Sequence, residues 1–366
     1  MSVPFIDLKR DIAAHRDEYL SIVARVFDSG TFTSGPEVKA FEEAFASYLG
    51  VKYAIAVSNG THALYAAYLA LGIGPGDEVI VPANTFIATA EAVMMTGAVP
   101  VFIDINEDTH LLDLTKLDRV VTPKTKAIAV VHLYGQMVDM DAIKAWADPK
   151  GIAVVEDTAQ AHGARLDGRR LAGTIGHVGC YSFYPTKNLG ALGEGGAVVT
   201  NDDAIASAVR SIRTHGAESV MYKHDRFGTN LRMEAIQGGI LALRLLQLDT
   251  STLRRHQIAD RYRAGLAGLP ISLPPAASDR HVFHLYVIAT DRRDALKEHL
   301  AKLGIGSAIH YPIAIPDQAV FTSRNLAGTC PVATRDASRI LSLPLFPDMT
   351  DAEVDEVIAG VKAFFS

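Results

Sequence analysis

The segment most informative about the fold is VGCYSFYPTKNLGALGEGGAVVTND, residues 178–202. Two strand-like runs, VGCYSFY and GGAVVTN, stand at its ends, and a glycine-rich loop from Pro185 to Glu194 joins them. Lys187 lies in that loop, where neither a helical face nor a salt-bridge spacing accounts for it. Glycines at 190, 193, 195 and 196 indicate a backbone packed closely around something. The stretch therefore predicts a ligand site at Lys187, with a solvated loop lysine as the alternative.

Upstream of this stretch, apolar strand-like runs alternate with helical patterns. The pattern runs YAIAVS and THALYAAYLALGI, EVIVP and TFIATAEAVMMTG, VPVFIDI, AIAVVHLYG and DMDAIKAWADPKG, then IAVVEDT. This rhythm is typical of a parallel sheet covered by helices. Because residues 178–202 hold two strand-like runs with no helix between them, we expect an α/β fold with a mixed sheet.

The chain is long enough for two domains, since 366 residues exceed the size at which one core usually stops growing. From Ala235 to about Gly265 the pattern predicts one long helix or two. The clearest later elements are HVFHLYVIAT, ALKEHLAKLG and DAEVDEVIAGVKAFF, and residues 269–279 read as a loop. We predict a large domain over residues 1–248 and a small one over residues 249–366.

Composition excludes several classes of protein. The net charge of -6, without blocks of like charge, argues against a nucleic-acid partner. No apolar run reaches membrane-spanning length, and the start of the chain does not read as a signal peptide, so we expect a cytoplasmic protein. Cys180 and Cys330 form no CxxC pair, and the 13 histidines show no HExxH spacing. Neither a disulfide framework nor a metal site is therefore predicted.

Asp157 ends the strand-like run IAVVED, at the edge of the sheet where open α/β folds bind ligands. Glu156 and Asp157 capping a following helix is the alternative interpretation. Lys187 favours the functional one, because a lysine in such a pocket forms Schiff bases. A carboxylate opposite it would hold the protonated ring nitrogen of pyridoxal phosphate.

An anion site is predicted where Ser58-Asn59-Gly60-Thr61 follows the strand YAIAVS and opens the next helix. Free backbone amides and the helix dipole attract a phosphate there. Ser182, five residues before Lys187, would add a hydroxyl to the same phosphate. An ordinary helix cap is the alternative for residues 58–61.

These residues stand in segments that resemble the DegT/DnrJ/EryC1/StrS sugar aminotransferases over essentially the whole chain. The segments are FIDLKR, SNGTHAL, GPGDEVIVPANTF, GAVPVFIDI, VHLYGQMVDMDAI, EDTAQAHGA, SFYPTKNLGALGEGGAVVTND, RTHG, NLRMEAIQ, FHLYVI and IHYP. The resemblance implies the aspartate-aminotransferase-like fold type I, with a large mixed-sheet α/β/α domain and a smaller C-terminal α+β domain.

The same resemblance implies a role for each matching residue. Lys187 would form the Schiff base with pyridoxal 5'-phosphate, Asp157 would pair with the pyridine nitrogen, and Gln160 would lie beside the ring hydroxyl. The remaining implied contacts are ring stacking by Phe86, phosphate binding by Gly60, Thr61, Ser182 and Asn230 of a second subunit, and a sugar pocket lined by Tyr184, His310 and Tyr311. His162 would stand behind this set. The active sites would then be shared within a homodimer.

The implied reaction is transfer of an amino group from L-glutamate, which leaves as 2-oxoglutarate, to a nucleotide-linked keto sugar. VHLYGQ and the general pattern look most like the 3-aminotransferases of dTDP-3-keto-6-deoxyhexoses. The aminated sugar would enter a polysaccharide such as the O-antigen of lipopolysaccharide, or a glycosylated metabolite. Amination at C4 of a UDP-, GDP- or dTDP-linked 4-keto hexose is the alternative. NLRM in place of NYRM or NSRM, and DQAVF after IHYP, depart from the family near the sugar and subunit contacts.

Four other functions fit less well. GALGEGG resembles a dinucleotide fingerprint, but the strand GAVVT follows where a helix is needed. DINEDTHLLDLT begins like a calcium loop, yet Thr109 and Thr115 stand where glycine and glutamate are needed. A regulatory relative without catalysis would be free to lose Asp157, Gln160 or Lys187, and all three are present. Relatives with histidine at the lysine position act as dehydratases, and Lys187 argues against that branch.

Overall fold

Seven strands form one central sheet in the computed structural model of the chain, which describes residues 2–217, 222–324, 326 and 328–366. In chain order they are β1 (Tyr53–Val57), β2 (Glu78–Pro82), β3 (Val99–Ile103), β4 (Thr125–Val131), β5 (Ala153–Asp157), β8 (Val178–Ser182) and β9 (Gly196–Thr200). Two short strands, β6 (Arg165–Leu166) and β7 (Arg170–Leu171), form a separate ribbon between β5 and β8.

The sheet order is β1-β9-β8-β5-β4-β2-β3, and β9 alone runs antiparallel to its neighbours. The prediction of a mixed sheet is therefore confirmed. Because β9 runs back from the carboxyl edge, the loop that joins β8 to β9 stays at that edge. This topology brings Lys187 to the ends of the parallel strands, where such sheets bind ligands.

Helices cover both faces of the sheet, which explains why its strands are apolar on both sides. Before β9 the helices are α1 (Leu8–Ala14), α2 (Arg16–Ser29), α3 (Gly35–Leu49), α4 (Gly60–Ala70), α5 (Ala88–Met95), α6 (Leu117–Val120) and α7 (Met140–Ala147). After β9 they are α8 (Asp203–Ile212) and α9 (Ala235–Leu245). Helices α4, α5 and α8 share one apolar cluster with one face of the sheet, whereas α7, α3 and α9 pack on the other.

The C-terminal part has its own apolar cluster around a two-stranded sheet, β10 (Tyr286–Ala289) and β11 (Ile340–Leu343). Its helices are α10 (Leu248–Leu266), α11 (Arg293–Lys302), α12 (Ala319–Thr322), α13 (Pro331–Ala337) and α14 (Asp351–Phe365). Short 3-10 turns complete the described elements at Leu114–Lys116, Leu133–Gly135, Asp148–Lys150 and Ile315–Asp317.

Residues 235–266 form two helices, α9 and α10, the second of the two patterns expected. Residues 269–279 form a loop, as predicted. Val3 packs in the C-terminal cluster and pairs with Ile305, so the start of the chain also contacts this part. The division between residues 248 and 249 stays a prediction. Within the described residues no helix has the length and apolarity to cross a membrane.

Candidate active site

One large cavity of about 800 Å³ opens at the carboxyl edge of the central sheet. The end of β5, the start of α4, the β8–β9 loop and residues 310–311 contribute to its wall. Ten of the predicted site residues line it: Gly60, Thr61, Phe86, Asp157, Gln160, Ser182, Tyr184, Lys187, His310 and Tyr311. A volume of this size suits a cofactor and part of a substrate.

Lys187 lies in the β8–β9 loop, where its backbone N–H donates to the carbonyl of Tyr184 (2.8 Å). The loop is tightly closed, because a Cβ at Gly190 would lie 2.4 Å from the carbonyl oxygen of Pro185. Burial lowers the pKa of the Lys187 amine to about 8, and the negative charge of Asp157 opposes that shift. An amine with this pKa is partly unprotonated near neutral pH and can act as a nucleophile.

The carboxylate of Asp157, at the end of β5, is buried. Its Oδ2 accepts a hydrogen bond from the hydroxyl of Thr89 on α5 (2.8 Å), and its Oδ1 accepts one from the backbone N–H of Ala159 (3.2 Å). Burial raises the pKa of Asp157, while these two bonds and the charge of Lys187 oppose the rise. The carboxylate keeps lone pairs free to accept a further N–H from the cavity.

Glu156, the neighbour of Asp157, is buried away from the cavity. It accepts hydrogen bonds from Nε2 of His132 (2.9 Å) and from the backbone N–H groups of Gly173 (2.8 Å) and Ile175 (2.7 Å). No helix follows β5, because residues 158–164 form turns. The helix-cap interpretation of Glu156 and Asp157 is therefore wrong, and Glu156 instead anchors the loop before β8.

The start of α4 and the end of β8 meet at Gly60 and Ser182. A Cβ at Gly60 would lie 2.5 Å from Cβ of Ser182, so this approach requires glycine. Asn59 caps the helix, since its Oδ1 accepts the backbone N–H of His62 (2.8 Å). The first amides of a helix lack partners within the helix and bear partial positive charge, so they can bind a phosphate beside the Ser182 hydroxyl.

Aromatic side chains form the outer part of the cavity. Phe86 and Tyr184 are 53% and 48% exposed, which leaves their rings available to a ligand. The Phe86 ring lies 5.8 Å from the Tyr311 ring, between centroids. Nε2 of Gln160 donates to the Tyr311 hydroxyl (3.3 Å). Burial lowers the pKa of His310 to about 4, and the charge of Lys187 adds to the shift, so His310 is neutral at pH 7.

Asn230 is the one predicted cofactor contact that does not line this cavity. Its side chain is exposed, and its Oδ1 accepts a hydrogen bond from Nε of Arg232 (3.0 Å). An exposed position is what a contribution to a neighbouring subunit requires. The role of Asn230 stays a prediction.

His162 stands behind the cavity and does not line it. Its ring is fully buried, 5.4 Å from the Tyr181 ring and 5.7 Å from the Phe183 ring. Burial and the charge of Lys187 lower the pKa of His162 to about 3. A neutral packing residue fits these surroundings.

Several cavity residues were missed by sequence reasoning. Among them are Thr89, His62, Glu194 and His284. Thr89 gives no signal, because TFIATAEAVMMTG reads as an ordinary covering helix. For His284 a signal exists, since a histidine stands within the apolar run HVFHLYVIAT. Burial and nearby positive charge, that of Lys187 first, lower the pKa of His284, so it is neutral at pH 7.

The residues at this site fit pyridoxal phosphate. Lys187 supplies an amine with a lowered pKa, Asp157 an acceptor for the ring N–H, and the α4 start an anion site against Ser182. Among the described residues there is no group of three or more His, Cys, Asp or Glu side chains that could hold a metal ion.

Comparison with known proteins shows the family of the chain. A family model described as the DegT/DnrJ/EryC1/StrS aminotransferase family matches residues 14–362. The chain is 44% identical to a dTDP-3-amino-3,4,6-trideoxy-alpha-D-glucose transaminase of Streptomyces venezuelae, over 98% of this chain and 95% of the relative. It is 41% identical to a UDP-N-acetyl-3-dehydro-alpha-D-glucosamine 3-aminotransferase of Acidithiobacillus ferrooxidans, over 99% and 97%.

Solved structures show the same fold. A crystal structure of NtdA from Bacillus subtilis with bound cofactor PMP superposes with a TM-score of 0.93 at 36% identity, covering 100% of this chain and 85% of that chain. Together with the mixed central sheet, this likeness confirms the predicted fold type I architecture.

Proposed function

Since the chain belongs to the DegT/DnrJ/EryC1/StrS aminotransferase family and is a pyridoxal-phosphate-dependent enzyme, we propose that it aminates C3 of a dTDP-linked 3-keto-6-deoxyhexose. L-Glutamate is the proposed donor and 2-oxoglutarate the product that leaves first. The observation that carries the proposal is that Lys187 and Asp157 line one cavity together with the start of α4 and interact electrostatically there.

The cofactor contacts follow from this pairing. Pyridoxal phosphate, when bound, supplies an electron sink for the carbon that loses its proton. Asp157 keeps the ring nitrogen protonated, and its anionic form is held by Thr89 and Ala159. Gly60, Thr61 and Ser182 bind the phosphate, and Asn230 of a second copy of the chain completes that site. Phe86 covers the ring face.

Lys187 has two tasks in the proposed reaction. Its amine would hold the cofactor and, when free, would move a proton from the carbon that is deprotonated to the carbon that is protonated. Its lowered pKa favours both tasks, because each needs the unprotonated amine near neutral pH. Sugar contacts are assigned to Tyr184, His310 and Tyr311, which line the same cavity as Lys187.

The C3 position is supported by the activities for which the two relatives are named, since both names place the amino group at C3. Those relatives differ in nucleotide, one being dTDP-linked and the other UDP-linked, and dTDP is proposed on the relative with the higher identity. The product would serve a polysaccharide or a glycosylated metabolite.

A substrate panel tests the proposal. The purified enzyme, glutamate and each of several dTDP-, UDP- and GDP-linked 3-keto and 4-keto hexoses would be incubated, and the new amine located by NMR. We expect a product aminated at C3 with ping-pong kinetics and a yellow enzyme. Amination at C4 alone would favour the alternative, and a colourless protein without turnover would refute the enzymatic assignment.

A further inference from the structure

Tyr134 stands behind two walls of the active site without lining the cavity itself. It follows β4 within VHLYGQ, and its side chain is buried. Its backbone N–H contacts the side chain of Gln160, and its hydroxyl contacts the carbonyl of His310. These two cavity residues are 150 positions apart in the chain, yet a single tyrosine joins them.

The backbone N–H of Tyr134 fixes the orientation of the Gln160 amide. That N–H donates to Oε1 of Gln160 (2.7 Å), and because an N–H can only donate, the amide oxygen must face it. The amide nitrogen of Gln160 consequently faces Tyr311 and donates to its hydroxyl (3.3 Å). The Tyr311 hydroxyl therefore acts as an acceptor here, and its hydrogen is free to donate into the cavity.

The hydroxyl of Tyr134 holds the other wall. It donates to the carbonyl oxygen of His310 and accepts from Nδ2 of Asn84 (3.2 Å). With one hydrogen to donate, the hydroxyl can reach only one acceptor, and the amide of Asn84 leaves that hydrogen to His310. Asn84 thereby selects the bond that positions the 310–311 segment.

The backbone at Tyr134 has an unusual conformation that serves both contacts. Its φ of 60° lies in the left-handed region, which is costly for a residue with a Cβ. The next residue, Gly135, is packed so closely that a Cβ there would lie 2.9 Å from the backbone nitrogen of His284. This turn aims the N–H of Tyr134 at Gln160 and its ring toward His310.

We propose that Tyr134 is a positioning residue that sets substrate affinity by locking Gln160 and the 310–311 segment into one rigid wall. The inference rests on the proposed function, because it takes His310 and Tyr311 as contacts of the keto sugar. In this proposal the hydrogen bonds of Tyr134 orient the wall so that the Tyr311 hydroxyl donates its hydrogen to an oxygen of the sugar substrate.

The test variant is Tyr134→Phe, which removes the hydroxyl but keeps the backbone N–H that fixes Gln160. We expect KM for the keto sugar to rise roughly five- to tenfold, the change that about one lost hydrogen bond produces. The values of kcat and of KM for glutamate should stay within about twofold, and the visible absorption of the holoenzyme should be unchanged.

The matched control is Tyr262→Phe. Tyr262 is equally buried and donates its hydroxyl to the carbonyl of Pro344 (2.7 Å), but it lies in the C-terminal cluster and does not line the cavity. We expect Tyr262→Phe and Tyr134→Phe to lower the unfolding midpoint by similar amounts. Tyr262→Phe should leave KM for the keto sugar unchanged. An unchanged KM in Tyr134→Phe, or an equal rise in Tyr262→Phe, would overturn the proposal.

A second variant, Asn84→Asp, tests the same bond without removing the Tyr134 hydroxyl. A carboxylate at residue 84 would take the Tyr134 hydrogen, so the carbonyl of His310 would lose its donor. KM for the keto sugar should again rise about fivefold or more. If wild-type enzyme aminates no keto sugar, the proposed function fails, whereas active wild type with unaltered KM in both variants refutes only the role of Tyr134.

Discussion

Asp157 and Lys187 interact electrostatically across the cavity, and each opposes the shift that burial imposes on the other. The charge of Lys187 restrains the rise in the pKa of Asp157, and the charge of Asp157 restrains the fall in the pKa of Lys187. Burial still dominates at both residues. The site therefore holds a carboxyl group whose pKa is raised by burial and an amine whose pKa is lowered to about 8.

The lowered pKa of Lys187 predicts how cofactor loading depends on pH. Because only the unprotonated amine attacks an aldehyde, the rate at which apo-enzyme couples to pyridoxal phosphate should rise with pH and level off above about 8. Stopped-flow absorbance after mixing gives this rate, with Lys187→Ala as the blank. A midpoint near the ordinary lysine pKa would contradict the assignment.

The same shift predicts the stability of the apo-protein. Between pH 8 and the ordinary lysine pKa of 10.5, unfolded chains bind more protons at Lys187 than folded ones, so this group makes stability rise with pH across that window. Urea unfolding would give the free energies of unfolding of wild type and Lys187→Met. If the Met variant is the more stable, its advantage over wild type should shrink as the pH rises from 8 toward 10.5. A pH-independent difference would mean that the amine is not desolvated.

Asp157→Asn should keep the fold and some bound cofactor while lowering kcat by roughly a hundredfold or more. An amide cannot hold the ring nitrogen protonated, although Thr89 and Ala159 can still contact it. Circular dichroism would show whether the fold is retained, and steady-state kinetics would measure the fall in kcat. Near-normal turnover would mean that Asp157 has only a structural role.

Lys187→Ala should fold and bind the cofactor without a covalent link, because the phosphate site and Asp157 do not depend on the amine. Supplied with the aminated product and pyridoxal phosphate, it should accumulate a covalent adduct of the two that spectroscopy or crystallography can detect. Turnover should fall about a hundredfold or more. Transamination close to the wild-type rate would show that the assignment of Lys187 is wrong.

A shared active site can be tested by mixing two inactive variants. If Asn230 serves the partner's cavity, a heterodimer of Lys187→Ala with Asn230→Asp contains one intact site, since both substitutions fall in the other. Random mixing should then restore about a quarter of the wild-type sites. If both residues served the same subunit's cavity, mixing would restore nothing.

Local sequence patterns predicted most of the elements and pointed to Lys187 and Asp157 as candidate site residues. Strand and helix periods are local properties of the chain, so the alternation from YAIAVS to IAVVEDT predicted the sheet and its helices. Two strand-like runs without a helix between them predicted a mixed sheet, and the structure shows that β9 is its antiparallel strand. Lys187 could be chosen because neither a helical face nor a salt-bridge spacing accounts for a lysine in this glycine-rich loop, and Lys187 in turn favoured a functional role for Asp157 over a helix cap.

The residues that contact Asp157 and His310 from distant parts of the chain could be identified only from the tertiary structure. Thr89 is 68 positions from the Asp157 it contacts, and Tyr134 is 176 positions from the His310 carbonyl. Such contacts depend on how loops of different length return to one edge of the sheet, which no local pattern records. The strand order places β4, β5 and β8 side by side. Only this arrangement shows that Glu156 anchors a loop and that Tyr134 links two walls of the cavity.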